Sequence, residues 1–178
     1  MNRKIGILRG INVGGKRKIL MADLKSMCEE LGLKKVTTYI QSGNLVFNSD
    51  KPNSELENNL EKAITEKYGF DVPIIVRTQK ELENSINNNT FFEKDVDIKQ
   101  LHLTFLKEKP SKENIEKALT FNYKSDKFKI DNKDAFIFCA GKYHESKLTN
   151  NFFEKQLKVG ATTRNWKTVM KLSELSKN

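Results

Sequence analysis

Apolar residues in this chain switch between a spacing of two and a spacing of three to four, in the same order twice. Few folds accept that order. Lys4-Ile5-Gly6-Ile7-Leu8 is a short β-type run. Met21, Leu24, Met27, Cys28 and Leu31 then recur at helical spacing, and Gly32 supplies a C-terminal stop. Val36, Thr38 and Ile40 alternate with Thr37, Tyr39 and Gln41, and Ser42-Gly43 turns the chain into Asn44-Leu45-Val46-Phe47, so a β-hairpin is predicted over 35–48. Leu56, Leu60, Ala63 and Ile64 predict a second helix closed by Gly69, and Val72 to Val76 a fourth strand. The resulting β-α-β-β-α-β order is that of a ferredoxin-like plait, an antiparallel sheet with two helices on one face.

The second half repeats this order. A linking helix over about Gln79–Asn87 ends in the polar tract 87–90. Leu101, Leu103 and Phe105 mark a strand, and Ser111 caps a helix that carries Ile115, Ala118 and Leu119. Phe128 and Ile130 lead through Asp131-Asn132-Lys133-Asp134 into Ala135-Phe136-Ile137-Phe138. A helix over about Leu148–Leu157, a short extended piece at 159–162 and a last helix from near Thr163 follow. The expected fold class is α+β: duplicated ferredoxin-like (βαββαβ) halves, antiparallel sheets with helices on one face, and an extra C-terminal helix. The halves are expected at 1–78 and 99–178, joined by a linking helix and loop at 79–98, as one compact unit.

Eleven Phe among 178 residues supply a core, and with 31% charged residues and clear periodicity wholesale disorder is excluded. Two Cys more than a hundred residues apart, without CxxC or CxxH spacing, exclude a disulfide framework and a structural zinc site. The longest apolar runs are strand-length, far short of the ~18 residues of a membrane span, and Met1-Asn2-Arg3-Lys4 does not open a signal sequence. A soluble, cytoplasmic protein with no membrane partner is expected. The net charge of +9 is uneven: residues 1–47 carry +6, 48–100 carry −4, 101–140 carry +2 and 141–178 carry +5. If the two basic ends of the chain meet, they form one positive face suited to an anion.

Four segments carry the candidate chemistry. Gly10-Ile11-Asn12-Val13-Gly14-Gly15-Lys16-Arg17 follows a strand, precedes a helix and satisfies the G-x4-G-K part of a phosphate loop. Arg17 stands where the magnesium-holding Ser or Thr belongs, which disfavours nucleotide hydrolysis. Anion binding and plain turn geometry both fit the glycines. Gln41-Ser42-Gly43-Asn44 is either an ordinary turn or a rim that presents two amide groups.

In Tyr143-His144-Glu145-Ser146-Lys147-Leu148-Thr149-Asn150, Ser146 and Lys147 suit an oxyanion and His144 an acid or base. The plainer reading is a helix cap by Thr149 or Ser146 beside an exposed histidine. In Ala161-Thr162-Thr163-Arg164-Asn165-Trp166-Lys167-Thr168, a cap by Thr162 or Thr163 would open the last helix, whose free N–H groups and Arg164 would favour an anion. Trp166, Val169, Met170 and Ser173 share one helical stripe, so the Trp is expected to pack. Cys28 and Cys139 are expected as buried thiols.

At these same segments, Leu8-Arg9-Gly10-Ile11-Asn12-Val13-Gly14-Gly15, Tyr39-Ile40-Gln41-Ser42-Gly43-Asn44, Ser146-Lys147-Leu148-Thr149-Asn150 and 161–169 resemble a bacterial family, domain of unknown function 1697. The resemblance runs from Lys4 to about Leu175. It implies a cytoplasmic bacterial protein and supports the duplicated plait, and it supplies no reaction, cofactor or catalytic residue.

The expected activity is binding of a small phosphate-bearing ligand. Arg9, Lys16, Arg17, Lys147 and Arg164 would supply charge. Asn12, Gln41, Asn44 and Asn165 would supply hydrogen bonds, with Gly14, Gly15, Ser146 and Thr163 completing the surface. The alternative is RNA or DNA bound without catalysis on an open sheet face, where Tyr39 could stack a base, although the RNP1 pattern is absent. An enzyme using His144 is a third reading. No metal is expected, and the residues name no cofactor.

Overall fold

A computed structural model describes residues 1–121 and 123–177. The chain divides into two compact units: Met1–Glu83 with Lys171–Asn178, and Asn84–Met170. Among the described residues, no helix is long and apolar enough to cross a membrane.

The first unit holds β1 (Asn2–Leu8), α1 (Met21–Glu30), β2 (Lys34–Tyr39), β3 (Asn44–Ser49), α2 (Asn53–Tyr68) and β4 (Ile74–Thr78), and α3 (Gln79–Asn87) begins in it. Its sheet has the order β2-β3-β1-β4, and every neighbouring pair is antiparallel, with Ile5 opposite Val46 on one side and Arg77 on the other. Leu8, Leu45, Phe47, Ile74 and Val76 form one apolar cluster with Leu24, Met27 and Cys28 of α1 and Leu56, Leu60 and Ile64 of α2. Gly32 ends α1 at φ +84°, and the Leu33 N–H reaches back to the Cys28 carbonyl at 3.1 Å, the bond that closes a left-handed helix end.

The second unit holds β5 (Leu101–Leu106), α4 (Lys112–Leu119), β6 (Lys127–Asp131), β7 (Asp134–Phe138), α5 (Asn150–Leu157) and β8 (Ala161–Asn165), and α6 (Trp166–Ser176) begins in it. The sheet order is β6-β7-β5-β8, again with every neighbouring pair antiparallel. Leu106, Phe128, Ile137, Phe153 and Leu157 lead its apolar cluster, and the Phe128 and Phe153 rings meet edge to face at 5.5 Å. Ser111 caps α4 as expected, accepting from Asn114 N–H at 3.2 Å.

The outer strands β4 and β8 leave backbone N–H groups on their free edges, which would otherwise recruit another strand. Carboxylates of the neighbouring helix cover them. Glu61 accepts from Ile74 N–H at 2.9 Å and Glu57 from Val76 N–H at 2.8 Å. In the second unit Glu154 accepts from Ala161 N–H at 3.3 Å.

One expected boundary is corrected. The extended piece at 159–162 is strand β8, which runs to Asn165, so the last helix starts at Trp166 and not near Thr163. Neither Thr162 nor Thr163 caps it. The Asn165 side chain does, accepting from Thr168 N–H at 2.9 Å.

Candidate functional site

In the first unit the glycine-rich segment forms a small hairpin finger and not a phosphate-cradling loop. Lys16 N–H bonds the Val13 carbonyl at 3.0 Å and Asn12 N–H bonds that of Arg17 at 3.2 Å. Gly14 and Gly15 between them both have positive φ, +57° and +74°, the backbone of a mirror-image hairpin turn. Helix α1 starts only at Met21, so its first N–H groups do not follow the glycines as a phosphate loop requires. Ile11 and Ile19 are fully buried at the base, whereas 13–18 are exposed throughout. Lys16, Arg17 and Lys18 have no carboxylate partner among the described residues.

Asn12 and Asn44, expected as ligand readers, build this finger. Asn12 Nδ2 donates to the Ile19 carbonyl at 3.0 Å and to the Gln41 carbonyl at 2.8 Å, while its Oδ1 accepts from Ile19 N–H at 3.0 Å. Asn44 is completely buried and donates to the Tyr39 carbonyl at 3.0 Å and to Ser42 Oγ at 3.2 Å. The turn packs so closely that a Cβ on Gly43, at φ +81°, would stand 2.6 Å from Ile11 Cδ1 and 2.9 Å from Leu8 Cβ. Asn12 thus ties the 9–18 loop to the 41–44 turn, and the Gln41 side chain is exposed beside the finger. Arg9 is half-buried at its root, and its N–H bonds the Pro73 carbonyl at 2.9 Å.

In the second unit Ser146 and Lys147 line a groove of about 180 Å³ with Lys124, Lys142, Asp126 and Glu145. Asp126 shapes it. One carboxylate oxygen accepts from Ser146 Oγ at 2.6 Å and the other from Ala140 N–H at 3.0 Å, tying two loops into opposing walls. Glu145 Oε1 lies 3.6 Å from His144 Nε2, beyond hydrogen-bond distance, and the His144 side chain is 75% exposed. Thr149 caps α5, accepting from Phe152 N–H at 3.2 Å. Lys124 and Lys142 were missed in the sequence because they sit in irregular loops, where no period marks them. A wider cleft of about 700 Å³, floored by Phe91, Val96 and Phe138, also escaped notice for that reason.

Thr163 and Arg164 are placed differently from a ligand surface. Thr163 Oγ1 lies 2.7 Å from Thr104 Oγ1 and 2.6 Å from Asn150 Oδ1, which joins β5, β8 and the start of α5. Arg164 is 9% exposed on β8, its Nη1 donates to the Thr163 carbonyl at 2.9 Å, and burial pushes its pKa down to about 10. Asn165 is the helix cap already described. Beside this junction His102 stacks on Tyr143 with ring centres 4.3 Å apart; burial lowers the His102 pKa, and the Gln100 backbone partly offsets this. Trp166 is fully buried against Phe92, centre to centre 5.2 Å. Cys28 and Cys139 are buried free thiols, and desolvation with the nearby Glu29 carboxylate pushes Cys28 up to about 12, far from a nucleophile's range.

These features define an α+β protein with two four-stranded antiparallel sheets and, among the described residues, six α-helices. The chain belongs to the family described as protein of unknown function DUF1697, whose model matches residues 1–136. It is also similar to a solved structure, the conserved bacterial protein SP0830 from Streptococcus pneumoniae. The two share 25% sequence identity over 98% of each chain, with a TM-score of 0.70. No curated protein is significantly similar.

Proposed function

We propose that this protein binds a small phosphate-bearing ligand in the second-unit groove beside Ser146 and Lys147. One observation carries the reading: three lysines, Lys124, Lys142 and Lys147, line one concave site with Ser125 and Ser146, against two carboxylates, Asp126 and Glu145. Small ligands need concavity, and about 180 Å³ suits a phosphate and part of its carrier, below the ~300–1,000 Å³ of a drug-sized pocket. Asp126 is held by Ser146 and Ala140, so its two oxygens are turned to these two loops, and the lysines outnumber the two lining carboxylates three to two.

The test is a thermal-shift titration with inorganic phosphate and nucleoside phosphates on wild type and the Lys142→Gln/Lys147→Gln variant. A ligand at about a hundred times its Kd adds ~2.7 kcal/mol, several degrees for a chain of this size. A shift in wild type that disappears in the variant is expected. An equal shift in both removes the groove reading.

The alternative of nucleic acid on a sheet face has less support. Strands β1, β3 and β5 are buried on both faces over most of their length, and Tyr39 is half-buried on β2.

We further read the two units as copies of one ferredoxin-like plait with a helix appended, although their bounds differ from the expected 1–78 and 99–178. Identical strand order supports this, and so do three matched details. Glu61 and Glu154 cover the first N–H of β4 and β8. Glu57 and Asn150, each four residues earlier, reach Val76 and Thr163 two residues further along those strands. Arg77 and Arg164, each buried one residue further on, donate to the carbonyl of the preceding residue. A cytoplasmic bacterial location remains part of the proposal.

A further inference from the structure

We infer that the 12–18 finger is a second binding site, which takes the sugar-phosphate backbone of duplex nucleic acid independently of the small-ligand groove. Its tip has no side chains. Nothing lies within 4 Å of where a Cβ would stand on Gly14 or Gly15, so the glycines are not there to relieve crowding. They leave a bare backbone turn at the end of a two-stranded finger, the kind of ribbon that a groove about 12 Å wide admits. Lys16, Arg17 and Lys18 follow the tip directly, all exposed and without a carboxylate partner among the described residues.

The base is pre-organised. Asn12 fixes it by three hydrogen bonds, and Ile11 and Ile19 anchor it in the core, so little ordering is left to do on binding. A protruding finger cannot enclose a small molecule, but it can place three cations beside successive phosphates of a polyanion. The exposed Gln41 side chain next to the base adds a polar group of the kind that contacts sugars and base edges. Val13 is the one exposed apolar side chain beside the glycines, too little apolar surface for a lipid bilayer, whereas three cations follow in sequence.

The experiment measures fluorescence anisotropy of a labelled duplex oligonucleotide over a series of salt concentrations. Wild type is compared with the Lys16→Gln/Arg17→Gln/Lys18→Gln variant and with Lys142→Gln/Lys147→Gln. Three phosphate contacts give a log-log salt slope of about −2.7 and an affinity loss of about 40-fold between ~50 and ~200 mM salt.

The finger variant should lose most of that slope and the groove variant should keep it. Gly14→Asn preserves the positive φ that the turn needs but adds a side chain to the tip, and it should weaken the duplex several-fold. Wild type that ignores the duplex, a finger variant that binds it equally well, or binding only to phosphatidylserine-rich vesicles would each overturn the inference. Because the groove variant is scored separately with inorganic phosphate, failure of either site is distinguishable from failure of the other.

Discussion

At the scale of single residues, most polar groups in the recognisable motifs hold the backbone in shape. Gly43 is the tightest case. A methyl group there meets Ile11 and Leu8 in a left-handed conformation, so Gly43→Ala should cost roughly 2–4 kcal/mol, seen as a lower urea midpoint with an unchanged slope. His102 makes a pH-dependent contribution. Its folded pKa lies below the unfolded value of ~6.5, so the neutral ring is favoured in the fold and its stability is complete above that pH. As pH falls below ~6.5 towards the lower folded value, that part is progressively lost. Denaturant titrations from about pH 7.5 to about pH 5 should show stability falling in wild type and a flatter profile in His102→Gln. None of these roles is visible in a string of residues: Asn12 as ligand reader and Asn12 as clamp have the same sequence, and only the partner atoms separate them.

Secondary elements were far more legible. Strands and helices followed from spacing alone, because apolar residues at two or at three to four residues leave no other way to bury one face. The hairpin at 35–48, the Ser111 cap and the Gly32 stop all appear where the spacing put them. One junction was misread and another left open, each for a physical reason. Strand β8 carries Thr, Thr, Arg and Asn, a polar run that reads as a helix start because its pairing with β5 lies nearly sixty residues away. Likewise Gly14-Gly15-Lys16 satisfies two geometries, and the late start of α1 decides between them. The corrected α6 start predicts that Asn165→Ala costs about 1 kcal/mol through the lost cap bond, measurable by thermal unfolding. For the finger, Asn12→Ala should loosen its base, and limited trypsin digestion should then cut after Lys16, Arg17 or Lys18 much faster than in wild type.

For the molecule as a whole, sequence order and spatial order part company. The chain leaves the first unit within α3 and comes back to it within α6, so Lys171–Asn178 belongs with residues that precede Glu83. Arg3 marks the tie: its guanidinium bonds the carbonyls of Lys35 and Leu175, each at 3.2 Å, and Asn48 Oδ1 at 3.1 Å, joining β1 to β2, β3 and the end of α6. Ending the chain after Met170 should therefore reduce hydrogen-exchange protection in β1 and β3 more than in β6 and β7. The periodicity gave no sign that the first unit takes in residues 171–178. The consequence reaches into synthesis. On the ribosome the first unit is exposed early but lacks a piece until residues 84–170 have been translated, about 4–17 s later at ~5–20 residues per second. A nascent chain that stops before residue 171 thus presents an unfinished N-terminal unit to chaperones and proteases.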